Sequence, residues 1–537
     1  MNEILPLGFS EFSALRQENA VYVDKTQLLY DLASPKCKVF LSRPRRFGKT
    51  LLLSTLETLF RDGIDLFKGL WIEKHWNDTT YNVVRLDFSE IREFSDIDEF
   101  KRKLFGVIYS GFVNYGFEYK PDPILDFYIQ LSNWLVKQPN FSLVLLIDEY
   151  DAPLTRWLHD VDKFEAVRSL LDEFFGRLKR HENCFRFVFI TGITRYKHTT
   201  IFSGFNNLTD ITMKPEYGAL LGYTEPEIKK YFPLHLKKAA NYHGVTEEKL
   251  LNDLAIFYDG FSFDRHGRTH VFCPWSVLNF FSDKEFEFAN YWYQSGGQPT
   301  VLMQYLLKHK LESPVDFGQM QVVPLRDLIS SRKLDSMSIE VLLQQTGYLS
   351  IKNVDSECNV TLGYPNKEVA VSLAQLYFDL FSDQAPITTY GTPTNRDLML
   401  GGDFVTVVRN FNKLLLSLDY HRFLISNEAS CRSCFQLLIS LSCLTPRIEV
   451  HNAFGRSDLE IDVEKTRWVF EIKYAKTTNQ VKPKLNEAIL QLDEKRYGQG
   501  FHDLHVRKVA LVFDGSKRQF VAWKEMDTQY YNDLQPN

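Results

Sequence analysis

Two groups of residues in this chain have the types and spacing needed for chemistry on phosphate groups. The first is the basic segment LSRPRRFGKT at 41–50, which overlaps the end of a short apolar stretch at 39–41. A buried strand, a tight basic turn and an amphipathic run in this order are typical of a loop whose backbone N–H groups surround an anion. In such a loop, Lys49 would reach the β- and γ-phosphates and the Thr50 hydroxyl would bind Mg²⁺.

The loop pattern departs from its general form at the first position, which is usually glycine and here is Arg43. Because the triplet at 48–50 also occurs by chance, a basic turn before a helix is the alternative interpretation. The residues predicted to contact a nucleotide in this loop are Arg45, Arg46, Phe47, Gly48, Lys49, Thr50 and Leu51.

A second stretch strengthens the nucleotide prediction. The uninterrupted apolar run at 143–147 ends in Asp148 and Glu149, which is typical of a central parallel strand buried on both faces. Acids at the carboxyl end of such a strand lie where ligands bind in open α/β sheets. Asp148 suits the outer sphere of Mg²⁺, and Glu149 suits polarisation of the attacking water. A buried strand that simply stops at a polar loop is the alternative, and the joint pattern favours ATP or GTP binding.

A further buried strand, predicted at 186–192, ends in small polar residues. Thr191 or Thr194 could sense the γ-phosphate there, and Arg195 could neutralise phosphate charge. A strand followed by a Ser/Thr-rich loop explains the same residues equally well.

The second group of residues lies near the C-terminal end of the sequence. Segment 455–463 alternates polar and apolar residues, and a second strand pattern follows at 467–473, which predicts a hairpin. The period of two puts Glu471 and Lys473 on one face, and Asp458 can approach that face. Asp458 and Glu471 would hold Mg²⁺, or Mn²⁺, while Lys473 orients the nucleophile or offsets charge during phosphodiester hydrolysis. A charged hairpin face held by salt bridges is the alternative.

Three residues near this group are weaker candidates. Glu428 lies in a probable helix at 427–443 and could add a ligand, and Gln491 and Tyr497 lie in or beside a helix around 484–497 and could contact the substrate.

Composition limits the class of protein. The 537 residues include 44% hydrophobic residues, enough for several cores, and the formal net charge of −5 gives no global sign of nucleic-acid binding. The seven cysteines show no regular spacing, which favours reduced thiols and a cytoplasmic protein. Cys431 and Cys434 are predicted to be buried thiols on a helix rather than zinc ligands. Neither a signal peptide nor a membrane span is expected.

These two sites, in this order, resemble a bacterial family of predicted AAA-like ATPases fused to a PD-(D/E)xK nuclease-like domain. Arg43 is normal for that family, whereas the residues at 429–431 lack its bulkier aromatic stretch, so Glu428 is left out of the predicted ligands. The segments that carry the resemblance are 22–26, 43–50, 147–151, 201–208, 274–281, 345–349, 363–368, 455–458 and 471–473.

The strand and helix patterns, together with the resemblance, predict an α/β protein with four consecutive regions. A P-loop parallel-sheet ATPase core is expected at 1–215, a helical lid at 216–310 and a linker region at 311–365. An α/β restriction-endonuclease-like domain is expected at 366–537.

The resemblance implies ATP binding and hydrolysis coupled to a Mg²⁺-dependent nuclease that acts on DNA or RNA, with a role in mobile-element or phage conflict. It also implies a possible homo-oligomer, since AAA-like ATPases often form rings, although the sequence does not identify an arginine contributed by a neighbour. The alternative is a nucleotide-switched nucleic-acid-binding protein whose nuclease-like domain is inactive.

Overall fold

The structure is a computed structural model that divides the chain into two compact units. One unit comprises Met1–Tyr305 and Gln321–Glu368, and the other comprises Leu306–Met320 and Val369–Asn537. The residues that the structure describes are 4–155, 157, 160–195, 208–295, 300–308, 321–329, 338–381, 393–416, 418, 424–442, 444, 446–452, 455–495, 497 and 504–527. Of the polar-aromatic loop predicted at 201–208, residues 201–207 lie outside the described residues, as do 311–320 and 330–337 of the predicted linker.

The first unit is built on a five-stranded sheet in the order β2-β3-β4-β1-β5, with every neighbouring pair parallel. Its strands are β1 (Lys38–Ser42), β2 (Asn82–Asp87), β3 (Leu143–Asp148), β4 (Phe185–Gly192) and β5 (Thr209–Asp210). The helices up to β4 are α1 (Phe12–Gln17), α2 (Thr26–Ala33), α3 (Lys49–Asp62), α4 (Ile97–Phe112), α5 (Phe127–Leu135), α6 (Ala152–Thr155) and α7 (Val161–Arg180). The predicted parallel-sheet α/β fold is confirmed.

Helices cover both faces of this sheet. On one face, Phe60 of α3 packs against Phe187 of β4, with ring centroids 5.2 Å apart. On the other, Leu104 of α4 and Leu171 of α7 join Leu145 of β3 in one buried core. Every residue of β3 is buried, which explains why this strand is apolar without alternation. Because the strands are parallel, the polar residues at their carboxyl ends meet along one edge.

The rest of the first unit is helical with one small sheet. The elements are α8 (Glu225–Tyr231), α9 (Pro233–His243), α10 (Glu247–Tyr258), α11 (Pro274–Ser282), α12 (Tyr291–Gln294), α13 (Thr300–Lys308), β6 (Gln321–Pro324), α14 (Leu325–Ile329), α15 (Ile339–Thr346), β7 (Ser350–Val354), β8 (Asn359–Gly363) and α16 (Lys367–Phe381). Strands β6, β8 and β7 form an antiparallel sheet in that order. Helix α13 ends, and α16 continues, in the residues of the second unit. The boundaries at 215, 310 and 365 stay predictions.

The second unit contains a mixed sheet in the order β13-β12-β11-β10-β9, in which only β11 and β12 run parallel. Its elements are α17 (Pro393–Leu400), α18 (Phe404–Leu416), α19 (Glu428–Leu441), β9 (Arg447–Asn452), β10 (Gly455–Val463), β11 (Thr466–Ala475), α20 (Val481–Glu494), β12 (His505–Asp514) and β13 (Gln519–Asp527). The predicted hairpin is confirmed as β10 and β11, with Leu459 opposite Phe470. No helix in the described ranges is both long and apolar enough to span a lipid bilayer.

Residues 43–48 form the turn between β1 and α3, called the β1–α3 loop below. Residues far along the chain contact this loop and hold it in place. The indole N–H of Trp292 donates to the carbonyl of Arg45 at 3.3 Å. Gly347 has a φ of +90°, and a Cβ there would lie 2.8 Å from Pro44. The buried carboxylate of Glu368 accepts the backbone N–H of Trp292 at 2.8 Å. The support therefore depends on Glu368.

The buried Glu368 carboxyl predicts a pH dependence of stability. Burial raises its pKa to about 8, although hydrogen bonds to Trp292 and Ser276 oppose the rise. In the unfolded chain it ionises near 4.5, so between these values the folded protein keeps a proton that the unfolded chain has lost. The free energy of unfolding should therefore fall as pH rises through this range.

Glu368→Gln should remove this part of the pH dependence, and the difference from wild type should reach about 3 to 4 kcal/mol between about pH 5 and about pH 8. Urea unfolding followed by circular dichroism at several pH values measures it. Glu118→Gln is the matched control, because the Glu118 side chain is 75% exposed. The prediction would be contradicted if the free energy of unfolding changed with pH by the same amount in wild type and in Glu368→Gln.

Candidate functional sites

The β1–α3 loop ends in a left-handed residue, Gly48, with a φ of +91°, and helix α3 begins directly after it. The ammonium of Lys49, the first helical residue, donates to the carbonyls of Arg43 at 3.0 Å and Pro44 at 2.9 Å. Burial lowers the pKa of Lys49, and nearby carboxylates, chiefly Asp148, oppose this shift. The loop thus has a helix N-terminus and a buried cation at its centre, which suits an anionic ligand.

The structure explains why position 43 need not be glycine. Arg43 has no positive φ, unlike Arg46 and Gly48, so a side chain there causes no backbone strain. Its guanidinium lies 4.3 Å from the centre of the Phe263 ring and donates to the carbonyl of Thr212 at 2.7 Å. Arg43 is buried and anchors the loop to the body of the first unit.

Thr50 and Asp148 meet as predicted. The Thr50 hydroxyl donates to Asp148 Oδ2 at 2.8 Å, because α3 packs beside the carboxyl end of β3. Burial raises the pKa of Asp148, while Lys49 and Thr50 oppose the shift. A hydroxyl and a carboxylate oxygen are suitable Mg²⁺ ligands, since Mg²⁺ is bound through a few protein oxygens and keeps several waters.

Glu149 follows with a φ of +47° and forms an ion pair with Arg92, whose guanidinium nitrogen lies 2.7 Å from Glu149 Oε2. Sequence reasoning missed Arg92. The signal was available in principle, because Arg92 follows β2 by a few residues and β2 is the neighbour of β3. Without knowledge of the strand order, however, nothing in the sequence connects Arg92 to Glu149.

Asp151 connects the end of β3 to the segment after β4. Its Oδ2 accepts the backbone N–H of Thr194 at 2.8 Å and the Thr194 hydroxyl at 2.5 Å. A Cβ on Gly192 would lie 2.6 Å from the Asp151 carboxylate, so only glycine leaves room for this contact. Burial raises the pKa of Asp151, and the Thr194 hydrogen bonds oppose the shift. Thr194 lies in a small depression beside Glu149.

The other two residues predicted from this strand lie elsewhere. Thr191 is fully buried within β4. Arg195 is also buried, and its guanidinium donates to the carbonyl of Leu328 at 2.7 Å. Burial lowers the pKa of Arg43 in the β1–α3 loop, and the nearby charge of Arg195 adds to this shift, but neither Thr191 nor Arg195 lines the cavity beside the loop.

A cavity of about 550 Å³ opens beside the loop. It is lined by Glu149, by Arg92 and by all of the predicted loop residues: Arg45, Arg46, Phe47, Gly48, Lys49, Thr50 and Leu51. Its opposite walls include Tyr22, Leu220 and Trp275, and the Arg46 guanidinium lies 4.6 Å from the Trp275 ring centre. The cavity lining therefore combines cationic and polar side chains with apolar and aromatic ones.

The second predicted site also forms. The Lys473 ammonium lies 2.7 Å from Glu471 Oε1 and 3.2 Å from Glu428 Oε1. Asp458 Oδ2 accepts the backbone N–H of Ile472 at 2.7 Å. Backbone pairing between β10 and β11 begins at Leu459. Before Leu459, the side-chain carboxylate of Asp458 takes the place beside β11 that the backbone of β10 would otherwise occupy. The structure brings Asp458, Glu471 and Lys473 together, with Glu428 beside them.

The Glu471 carboxylate has an oxygen without a protein partner. Glu471 is 1% exposed, and its Oε2 is buried with no hydrogen bond in the described part of the chain. Burial, reinforced by Asp458, raises its pKa to about 8, and Lys473 opposes the rise. Burial alone would lower the pKa of Lys473, but its ion pairs outweigh burial and raise it. An incompletely satisfied carboxylate beside a second one favours a cation.

This donor set fits a hard divalent cation such as Mg²⁺. Among the described residues, no group of three or more His, Cys, Asp or Glu side chains is arranged to hold a metal ion. A cation here would therefore take Asp458 and Glu471 as side-chain ligands and complete its shell with water, which is the habit of Mg²⁺.

Other predicted neighbours have mainly structural contacts. Gln491 donates to the hydroxyl of the buried Tyr497 at 3.3 Å. Cys431 and Cys434 are buried free thiols on α19, which confirms their prediction. Arg432, one turn after Glu428, was missed by sequence reasoning, and its guanidinium lies 3.3 Å from Asp458 Oδ1.

Comparisons with known proteins match both halves of the chain. Residues 6–202 match the family model described as Predicted AAA-ATPase, and residues 426–523 match that of the PD-(D/E)XK nuclease superfamily. The chain is also 27% identical over 508 residues, 93% of each chain, to an "Uncharacterized protein in vnfD 5'region" of Azotobacter chroococcum mcd 1. The first match contains the β1–α3 loop and Glu149, and the second contains the Asp458–Lys473 cluster. The chain therefore contains, in this order, a segment that matches the predicted AAA-ATPase family and a C-terminal segment that matches the PD-(D/E)XK nuclease superfamily, which is the combination that its sequence predicts.

Proposed function

We propose that the first unit binds and hydrolyses ATP with Mg²⁺, and that the second unit is a metal-dependent nuclease that acts on DNA or RNA. The observation that supports the first half is the contact of Thr50 with Asp148 at the edge of the cavity. The observation that supports the second is the buried, unsatisfied oxygen of Glu471 next to Asp458.

In the ATPase site, the backbone of the β1–α3 loop would surround the phosphates. Lys49 would exchange its bonds to loop carbonyls for the β- and γ-phosphates, and Thr50 and Asp148 would hold Mg²⁺. Glu149, held by Arg92, would orient the attacking water. The apolar and aromatic residues of the cavity lining, which include Tyr22 and Leu220, would contact the base. Thr194 can reach the same region, whereas roles for Thr191 and Arg195 stay sequence predictions.

In the nuclease site, Asp458 and Glu471 would hold Mg²⁺ or Mn²⁺, which when bound lowers the pKa of a coordinated water. Lys473 is held between Glu471 and Glu428, so its ammonium is fixed before any substrate arrives. It would orient the nucleophile or offset the negative charge that develops on the phosphate. Glu428 acts here through Lys473 and is not needed as a metal ligand.

The alternative proposal keeps the nucleotide switch but makes the second unit a nucleic-acid clamp that does not cut. The contact between Arg432 and Asp458 favours it, because a cation already occupies one of the metal-binding carboxylates. The family resemblance alone carries the further proposals of a cytoplasmic location, a homo-oligomer and a role in mobile-element or phage conflict.

Lys49→Ala should weaken ATP binding by about 10- to 100-fold, because it removes a charge-assisted hydrogen bond to phosphate. Equilibrium titration with a fluorescent ATP analogue measures this loss. Lys120→Ala is the control, since the Lys120 side chain is 81% exposed. If Lys49→Ala and Lys120→Ala bind the ATP analogue with equal affinity, the nucleotide does not bind at Lys49.

Glu149→Gln should keep ATP affinity and lower kcat by about 10²- to 10⁴-fold, because the group that orients the water loses its charge. Arg92→Ala should lower kcat about tenfold, since Glu149 loses the ion pair that holds it. Phosphate release under saturating ATP measures both. Normal turnover in Glu149→Gln would remove Glu149 from the mechanism.

Glu471→Gln should reduce metal-dependent cleavage to the background rate while ATP hydrolysis continues, because the second unit loses a metal ligand. The assay uses plasmid, linear DNA, single strands and RNA with Mg²⁺ or Mn²⁺, with and without ATP. Glu487→Gln on α20, whose side chain is 50% exposed, is the control. Cleavage that survives in Glu471→Gln would show that the site is wrongly assigned. An absence of cleavage by the wild type would favour the clamp.

A further inference from the structure

The two carboxylates of the second site differ in how their oxygens are satisfied. Asp458 has a donor on each oxygen: the backbone N–H of Ile472 on Oδ2 at 2.7 Å and the guanidinium of Arg432 on Oδ1 at 3.3 Å. Glu471 has Lys473 on Oε1, whereas its Oε2 has no partner among the described residues. Glu471 would therefore offer a metal ion an oxygen without a protein partner, whereas both oxygens of Asp458 already accept hydrogen bonds.

The engaging arginine comes from helix α19. Arg432 lies four residues after Glu428, so both side chains project from one helix face. Glu428 contacts Lys473, while Arg432 contacts Asp458. The Arg432 side chain is 16% exposed and that of Asp458 is 13% exposed, so water screens their attraction only partly. One helix face therefore adds a carboxylate and a guanidinium to the site.

The charges of this cluster make Arg432 and a metal ion competitors. The cluster contains three carboxylates, Glu428, Asp458 and Glu471, and two cations, Arg432 and Lys473. When all are ionised, these charges sum to −1, and a bound divalent cation changes the sum to +1. A guanidinium and a divalent cation on the same carboxylate repel each other, so metal binding favours the departure of Arg432.

We propose that Arg432 is a place-holder cation, which neutralises Asp458 in the metal-free protein, is displaced by the metal and then binds the phosphate of the nucleic acid. The proposal rests on the nuclease function proposed above. Arginine is suited to both positions, because its planar guanidinium binds carboxylate and phosphate oxygens with the same geometry.

This arrangement couples metal and substrate. A metal ion alone has to break the Arg432–Asp458 contact, whereas in the presence of nucleic acid the released guanidinium gains a phosphate partner. Nucleic acid therefore raises metal affinity, and metal raises nucleic-acid affinity by the same factor. The contact between Arg432 and Asp458 then belongs to the metal-free state of an active nuclease. It no longer favours the alternative that the second unit is an inactive clamp.

The test is calorimetric titration of the full chain with Mn²⁺, without nucleotide or nucleic acid. The part of the binding that disappears in Glu471→Gln reports this site. Arg432→Gln should bind Mn²⁺ about tenfold more tightly than wild type, which corresponds to about 1.4 kcal/mol, within the range for one charge-assisted hydrogen bond. Arg432→Lys, which keeps the charge, should stay within about threefold of wild type.

Arg467→Gln is the matched control for loss of one positive charge. Arg467 pairs with Asp462 at 2.8 Å, nearer the turn of the β10–β11 hairpin, and its loss should leave Mn²⁺ affinity unchanged. Melting curves confirm that each variant is folded. At saturating Mn²⁺, Arg432→Gln should also cleave about tenfold more slowly, since the phosphate loses its arginine.

Unchanged or weaker Mn²⁺ binding by Arg432→Gln would overturn the place-holder role, and unchanged cleavage at saturating Mn²⁺ would overturn the phosphate role. These failures are distinct from failure of the nuclease proposal. A wild-type protein without Glu471-dependent Mn²⁺ binding would overturn both proposals. A wild type that binds Mn²⁺ but cuts no substrate would overturn the nuclease activity alone, and the Mn²⁺ titrations would still decide the place-holder role.

Discussion

Removing a carboxylate from water costs free energy, and this cost determines which partners surround the buried acids in each of the two units. Asp148, Asp151, Glu368 and Glu471 are all buried, and burial raises the pKa of each. A buried carboxylate is stable only with hydrogen-bond donors or cations around it. Three of these four have protein donors on their oxygens, whereas Glu471 retains an unsatisfied oxygen. The unsatisfied oxygen distinguishes Glu471 from the other three carboxylates, and it favours a bound cation at that position.

The two sheets place these acids by different geometry. In the parallel sheet, neighbouring strands end at one edge, so side chains that follow β1, β2, β3 and β4 converge although they are far apart in sequence. In the mixed sheet, the β10–β11 hairpin supplies two of the key residues from strands that are consecutive along the chain. Asp458 approaches Glu471 where the pairing of the two strands stops.

Much of the fold could be predicted because its signals are local. The apolar run of β3 predicts a buried parallel strand, and the alternation at 455–463 and 467–473 predicts the hairpin and the shared face of Glu471 and Lys473. Arg92 and Arg432 could not be predicted, since their partners lie on other elements and no periodicity relates them. Arg43 looked like a departure from the loop pattern, because the sequence does not show that its backbone avoids a positive φ. The assignments of individual ligands stay predictions.

The support behind the β1–α3 loop has a consequence for how this chain can be divided. Trp292, Gly347 and Glu368 lie well beyond residue 202, where the ATPase family match ends, yet Trp292 and Gly347 contact the loop and Glu368 anchors Trp292. A fragment cut at that boundary would leave Pro44 uncovered and the Arg45 carbonyl without the indole N–H. A fragment that keeps these contacts therefore has to extend to about the start of α16, well beyond the segment that the family model matches.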